Sequence, residues 1–132
     1  MKRYLLFIIL LVNLSFIFLS CQKKKEEKIM GSWQYVYLTD VNNTIQNWTF
    51  IEHNKFIKTI KTDTLISDTA DWKLTVEALS ATTLKITGVN EWTDGTYEVL
   101  TLNKKYLIIQ RIMLSSGSSD GAFNRMEFVK SN

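Results

Sequence analysis

The chain has 132 residues, a length that suits one small domain, and it contains one cysteine and one histidine, which exclude an intrachain disulfide and a zinc site of several Cys and His ligands. Its formal charge of +3 belongs to the N-terminus, because six of the 16 basic and two of the 13 acidic residues precede residue 29. The ten basic and eleven acidic residues that remain give a net charge of −1, which argues against the basic surface that nucleic-acid binding needs.

Residues 1–20 have the layout of a secretory signal peptide. Lys2 and Arg3 form a short positive start, and a nearly continuous apolar run covers residues 4–19. This run is shorter than the ~20 residues that a membrane-spanning helix normally needs. The sequence therefore predicts a targeting segment that is removed, with an uncleaved membrane anchor as the alternative.

Cys21 directly follows this apolar run and precedes a charged stretch. The Ser20-Cys21 pair resembles the lipobox of bacterial lipoproteins, in which the cysteine becomes the first residue and carries the lipid. The resemblance implies that a lipidated Cys21 holds the protein to the membrane, since two or more acyl chains give stable anchoring. Gln22 stands where an aspartate marks inner-membrane retention, which implies an outer-membrane lipoprotein facing the periplasm or the cell surface. Ordinary cleavage that leaves a free thiol is the alternative, and residues 21–28 are predicted to be a solvated, charged tether.

From residue 29 onward, apolar and polar residues alternate with a period of two, which indicates half-buried strands rather than helices. The apolar positions of this alternation include Trp33, Tyr35, Trp48, Phe50, Trp72, Leu74, Leu84, Ile86, Tyr97 and Val99. Turns are predicted at His53-Asn54-Lys55, at Asp94-Gly95 and at Asn103-Lys104-Lys105, with a longer loop at Ser115–Gly121.

Eight or nine short strands separated by turn signals indicate an all-β sandwich or barrel. A closed barrel of about eight strands has an interior that side chains can fill or that holds one small ligand. We therefore predict a small antiparallel β-barrel over residues 29–132, after the N-terminal signal segment. The pattern leaves open whether the sheet closes or stays open and strongly curved.

A series of short motifs resembles the lipocalin-like domains of lipoproteins of the Bacteroidota. The motifs, in chain order, are Gly31-Ser32-Trp33, Trp48-Thr49-Phe50, Trp72, Tyr97-Glu98-Val99, Leu107-Ile108-Ile109 and Phe123-Asn124-Arg125. The resemblance implies a lipocalin-like barrel in which Gly31 and Trp33 close one end. It also implies that a cation from a late strand packs across Trp33, with Arg125 as the first candidate and Arg111 as the second.

Several of these apolar side chains are candidates for the lining of a ligand cup. They are Trp33, Tyr35, Trp48, Phe50, Trp72, Tyr97 and Ile109. In one interpretation they line a concave, mainly apolar site for a small hydrophobic molecule. In the other they are an ordinary core, because aromatic rings also dominate small cores. Both interpretations need the same residues to face inward.

No set of residues indicates catalysis. His53 lies in a predicted turn beside Glu52, without a nucleophile motif, and is expected to be exposed. Asp63, Asp68 and Asp71 do not have the spacing of a calcium loop and are expected to be solvated loop carboxylates. We therefore predict a protein that is not an enzyme and that has no metal or cofactor.

Two functional hypotheses remain from the sequence. The first is a lipid-anchored, lipocalin-like binding module of the cell envelope that holds a small hydrophobic ligand. The second is a protein-interaction module, such as an inhibitor, an immunity factor or an assembly subunit, with a filled core and no ligand. An exposed apolar patch on the folded domain favours the second hypothesis.

Overall fold

A computed structural model describes residues 21–37, 44–77 and 81–131. The predicted signal segment, residues 1–20, lies outside this part of the chain. The first described residues, 21–29, are helical. Eight strands follow: β1 (Gly31–Tyr35), β2 (Ile45–Ile51), β3 (Lys55–Lys61), β4 (Leu65–Val76), β5 (Thr82–Thr87), β6 (Gly95–Leu102), β7 (Tyr106–Leu114) and β8 (Arg125–Lys130).

The eight strands form a closed antiparallel barrel. Each strand pairs with the next one along the chain, and β8 pairs with β1 to close the sheet. Trp33 illustrates the closure, since it lies opposite Trp48 on one side and opposite Lys130 on the other. Closure leaves no unpaired edge along the sheet. The prediction of an all-β antiparallel barrel of about eight strands is confirmed, and the open, curved sheet is excluded.

Alternation along the strands decides which side chains enter the barrel. In β2, Trp48 and Phe50 point inward, and in β8 Met126 and Phe128 do so while Arg125 is exposed. The buried apolar cluster consists of Ile29, Trp33, Trp48, Phe50, Phe56, Ala70, Trp72, Leu74, Leu84, Ile86, Tyr97, Leu107, Ile109, Met126 and Phe128. Successive side chains of a strand point to opposite faces, so this alternation is the pattern that the sequence showed.

The turns differ in how closely they follow the prediction. Between β2 and β3, His53 and Asn54 both have a φ of 60°, as a tight hairpin connection requires. Between β5 and β6, the connection is a longer loop, residues 88–94, rather than a tight Asp94-Gly95 turn. The Asp94 carboxylate accepts hydrogen bonds from the backbone N–H groups of Gly88 and Val89 at 2.9 and 2.8 Å, which favours the longer loop.

Strand β4 begins earlier than the sequence predicts. Asp68 and Asp71 were expected in loops, but they lie within β4, opposite Lys58 and Lys55 of β3. Asp71 accepts a hydrogen bond from Lys55 Nζ at 2.7 Å. Opposite charges directly across an antiparallel pair stabilise it, which explains how a polar segment continues the strand.

The barrel has two chemically different ends. The closed end comprises the helical residues 21–29, the turns 52–54 and 103–105, residues 77 and 81 next to β4 and β5, and the last residues of β8. The rim end lies opposite and comprises the described parts of the other connections, which are residues 36–37, 44, 62–64, 88–94 and 115–124.

Candidate functional site

The helical residues at the closed end pack onto the barrel. Gln22, Lys25, Glu26 and Ile29 face it and are half-buried or buried, a spacing typical of an amphipathic helix. Gln22 Nε2 donates a hydrogen bond to the Leu74 carbonyl at 3.4 Å, and Lys25 Nζ donates one to Thr82 Oγ1 at 2.6 Å. The expectation of a solvated tether over residues 21–28 is therefore corrected. The charges of residues 21–28 suggested a tether. Ile29, the one fully buried side chain of the helical residues 21–29, directly follows the predicted tether.

Trp33 seals the closed end. Its side chain is fully buried, and its indole N–H donates a hydrogen bond to the Ile29 carbonyl at 2.6 Å. The Lys130 ammonium lies 4.2 Å from the centre of the Trp33 ring and donates a hydrogen bond to the Met30 carbonyl. Partial burial lowers the pKa of Lys130.

Gly31 leaves room for this lysine. Its φ is +106°, a conformation that residues with a Cβ rarely adopt. A Cβ at this position would lie 2.9 Å from Lys130 Nζ. The glycine of the Gly-x-Trp motif therefore allows the cation to reach the Trp33 ring.

The cation over Trp33 was predicted to be Arg125, and this assignment is wrong. Arg125 is exposed and forms an ion pair with Glu127 at 2.9 Å on the outer face of β8. Lys130 is five residues from Arg125, and an odd spacing along a strand places two side chains on opposite faces. Lys130 therefore shares the inner face with Met126 and Phe128. The second candidate, Arg111, lies near the rim end.

The predicted lining of the ligand cup forms the packed core. The side chains of Trp33, Trp48, Phe50, Trp72, Tyr97 and Ile109 are only 0–4% exposed. The Trp48 ring lies 5.3 Å from the Phe56 ring, 5.9 Å from the Tyr97 ring and 4.9 Å from the Phe128 ring. Surfaces that water does not reach do not line an accessible cup. Tyr35 is the one residue of the predicted lining that is only partly buried.

Near the rim end, the inner face becomes polar and partly accessible. Lys58 Nζ donates a hydrogen bond to Thr93 Oγ1 at 2.8 Å. Burial lowers the pKa of Lys58, and the nearby Asp68 carboxylate partly opposes that effect. Tyr35 and Ile60 are also half-buried on this part of the inner face. The alternation predicts that these positions point inward, but it does not show where the sealed core ends.

Arg111 holds the 88–94 loop in place. Its guanidinium is buried and donates hydrogen bonds to the carbonyls of Glu91 and Asp94, each at 2.6 Å, and of Trp92 at 3.0 Å. The Tyr97 hydroxyl donates to the Thr93 carbonyl of the same loop. Burial raises the pKa of Tyr97 to about 12. The backbone that carries Trp92 is therefore held in place by Arg111 and Tyr97, whose side chains are buried in the barrel.

The rim end displays large apolar side chains. Trp92 is 79% exposed, Phe123 is 74% exposed and Leu65 is 70% exposed, and all three belong to this end. We define the apolar rim as Val36, Ile45, Leu65, Ile66, Trp92, Met113 and Phe123. Of the exposed large apolar side chains in the described ranges, only Ile51, Leu100 and Tyr106 lie elsewhere. The sequence pattern does not identify this set. Trp92 and Phe123 lie in loops, where no alternation applies, and the strand residues of the set lie at strand ends, where alternation does not show what covers a side chain.

A cleft of about 370 Å³ lies beside Trp92. Its walls include Glu91, Arg111, Ser115 and Asp120, so it joins the 88–94 loop to the 115–124 loop. The predicted loop at Ser115–Gly121 therefore forms one side of a concave, partly polar surface next to an exposed indole.

The side chains considered for catalysis or metal binding do not meet in one place. His53 is exposed in a turn at the closed end, whereas Asp63 is exposed at the rim end. No group of three or more metal-binding side chains occurs among the described residues. In the same ranges, no helix has the length and apolar character needed to cross a bilayer.

Comparison of the chain with protein-family models, with curated proteins and with solved structures finds no match. The lipocalin-like resemblance therefore stays a prediction from the sequence.

Proposed function

We propose that this protein is a lipid-anchored protein-interaction module of the cell envelope that binds its partner through the apolar rim. One observation carries the proposal: Trp92, Phe123 and Leu65, which are the most exposed large apolar side chains described, all belong to the barrel end opposite Cys21. Concentrations of exposed apolar surface on a soluble domain are typical of interaction sites.

The construction of the rim supports this role. Tryptophan is over-represented among the residues that contribute most to protein–protein binding. The backbone of Trp92 is held by Arg111, so the indole is presented by an ordered loop, and less conformational entropy is lost on binding. The cleft beside it provides a concave surface into which a partner side chain fits.

The lipid anchor is the second part of the proposal. Cys21 is exposed on the outward side of the helical segment and directly follows the apolar run of residues 4–19. A lipid on Cys21 places the closed end next to the membrane. The rim then projects away from the membrane, where a partner protein can reach it.

The hydrophobic-ligand hypothesis is retained as a second candidate at a different place. The half-buried side chains of Tyr35, Lys58 and Ile60 on the inner face would bring both apolar and charged atoms to such a ligand. A small amphiphilic molecule suits this site better than a purely apolar one. The sealed aromatic core below it leaves little depth for a long hydrocarbon chain.

Site-specific photo-crosslinking in the source cells tests the interaction role. The photo-reactive residue p-benzoylphenylalanine is placed at position 92 and, as a control, at position 106, because Tyr106 is an exposed aromatic residue at the closed end. We expect position 92 to give one discrete protein adduct that position 106 does not give. Equal adducts at both positions, or none at position 92, contradict the proposal.

Native mass spectrometry of the full chain, extracted gently from its own membranes, separates the two candidates. A protein complex that dissociates in a Trp92→Ser variant supports the interaction role. A copurifying small molecule that is lost on denaturation supports the ligand role instead.

A further inference from the structure

We propose that the closed end of the barrel is a docking face for an anionic lipid surface. This inference deepens the proposed lipid anchoring and rests on it. The surface consists of the outward side of the helical segment together with the β6–β7 turn, and its lysines are Lys24, Lys28, Lys104 and Lys105.

The two ends of the barrel differ in charge. The closed end carries seven lysines (Lys23, Lys24, Lys25, Lys28, Lys104, Lys105 and Lys130) and four glutamates (Glu26, Glu27, Glu52 and Glu77), which gives +3. At the rim end, the four acidic residues of the described loops (Asp63, Glu91, Asp94 and Asp120) are accompanied by four cations on the adjoining strands (Lys58, Lys61, Arg111 and Arg125). The excess of positive charge therefore lies at the closed end.

The helical segment divides its lysines between two sides. Lys25 faces the barrel and bonds Thr82, whereas Lys24 and Lys28 are exposed on the same side as Cys21. Lys23 is exposed beside Glu26, Glu27 and Glu52. Lipid on Cys21 brings the ammonium groups of Lys24 and Lys28 to headgroup level. Lysines at that position attract anionic lipids, and the attraction falls off within roughly 8–10 Å at physiological salt.

Lys104 and Lys105 extend the positive surface beyond the N-terminal segment, because they are more than 80 residues away from Cys21 in sequence. Their turn is fixed by the Asn103 side chain, whose Oδ1 accepts hydrogen bonds from the backbone N–H groups of Lys105 and Tyr106 at 2.8 Å. The Lys105 carbonyl accepts a hydrogen bond from the backbone N–H of Lys130, whose side chain reaches Met30.

This connection places the β6–β7 turn beside the end of the helical segment. The side chains of Lys104 and Lys105 are exposed. The described ion pairs, Lys55–Asp71 and Arg125–Glu127, do not involve them. Two exposed, unneutralised ammonium groups beside the end of the helical segment complement an anionic surface and have no role in the barrel core.

Residue-resolved lysine acylation of the full, membrane-extracted chain tests the docking face. The chain is reconstituted into phosphatidylcholine vesicles with or without phosphatidylglycerol, labelled with a water-soluble succinimidyl ester and analysed by mass spectrometry. We expect labelling of Lys104 and Lys105 to fall by about threefold or more when phosphatidylglycerol is present, and to recover at high salt. Labelling of Lys61 at the rim end and of Lys73 on the barrel wall should not change.

A charge-reversed pair provides the second arm. In a Lys104→Glu/Lys105→Glu variant, we expect Lys28 to lose its phosphatidylglycerol-dependent protection. The matched Lys61→Glu/Lys73→Glu variant, with the same change in net charge, should keep it. Unchanged protection in the first variant, or equal protection of Lys61 and Lys104 in the native chain, overturns the docking face.

Failure of the lipid anchor gives a different result. A chain that does not float with pure phosphatidylcholine vesicles refutes lipidation at Cys21. Selective protection of Lys104 and Lys105 by phosphatidylglycerol vesicles then still supports the docking face, and its absence still contradicts it.

Discussion

The closed end and the rim end use tryptophan in opposite ways. At the closed end, Trp33 is fully buried, bonds the Ile29 carbonyl and lies beneath the Lys130 ammonium. At the rim end, Trp92 is 79% exposed and only its backbone is held, through Arg111. One tryptophan stabilises the fold and the other is available to a partner. Side-chain type alone does not distinguish these roles, because the position relative to the strand alternation decides them.

The ends also differ in what holds them together. Apolar packing dominates the closed end, where Ile29 and Trp33 join the core cluster. Hydrogen bonds to backbone carbonyls dominate the rim end, where Arg111 and Tyr97 fix the 88–94 loop. This difference predicts that substitutions at the closed end change stability, whereas substitutions on the apolar rim change binding.

The largest expected effect is that of Trp33→Ala. Replacing a fully buried tryptophan by alanine lowers the free energy of unfolding by about 3–5 kcal/mol, because packing is lost and a cavity remains. Trp92→Ala is the matched control and should stay within about 0.5 kcal/mol of the native chain, as is usual for exposed positions. Urea unfolding measures both. Similar losses of unfolding free energy in the two variants would contradict the different roles assigned to Trp33 and Trp92.

The next effect concerns Arg111. An Arg111→Met variant leaves the carbonyls of Glu91, Trp92 and Asp94 without their donor, and we expect a loss of about 3 kcal/mol. Amide hydrogen exchange should rise in the 88–94 loop and stay unchanged in residues 21–29. Arg125→Met, which removes only an exposed ion pair, should cost below about 1 kcal/mol. If Arg111→Met costs as little as Arg125→Met, the 88–94 loop does not depend on the Arg111 guanidinium.

A pH effect of comparable size is expected from Tyr97. Its pKa rises from the model-peptide value of 10.0 to about 12 in the fold, so the folded state favours the neutral phenol. The resulting stability is fully present below pH 10 and is lost as the pH rises to about 12. Over this range the loss amounts to about 2 kcal/mol.

Comparison with Tyr97→Phe isolates this contribution. The difference in unfolding free energy between the native chain and the variant should fall by about 2 kcal/mol between pH 8 and pH 12. Tyr106→Phe, which removes an exposed hydroxyl, is the control variant. A constant difference for Tyr97→Phe contradicts the raised pKa.

The smallest expected effect on the free energy of unfolding is that of Lys130, whose ammonium lies over the Trp33 ring at the closed end. Lys130→Met keeps the length of the side chain but removes its charge from the Trp33 ring. We expect a loss of about 0.5–2 kcal/mol, the range of cation–π interactions. Lys105→Met, next to the same strand end but exposed, should be neutral in urea unfolding. If Lys130→Met leaves the free energy of unfolding unchanged, packing alone accounts for the sealing of the closed end.

Particular residues show how far the sequence reaches. The alternation of Trp72 and Leu74 with Lys73 and Thr75 is a local property, and it correctly predicts strand and face. Asn103 and His53-Asn54 correctly predict turns, because the conformations there depend on a few neighbouring residues. The candidate site was predicted less well: Arg125 was assigned the position that Lys130 occupies, and the rim around Trp92 was not identified.

Those errors have one physical cause, which is that contacts between distant strands depend on register and closure. The sequence by itself determined the period-two pattern, the approximate number of strands and the charge of the N-terminal segment. Only the tertiary structure decided that residues 21–29 pack on the barrel, that Lys130 lies over Trp33, and that the aromatic interior is sealed. It also decided that Trp92 remains outside, because Arg111 reaches across from β7 to hold the loop that carries it.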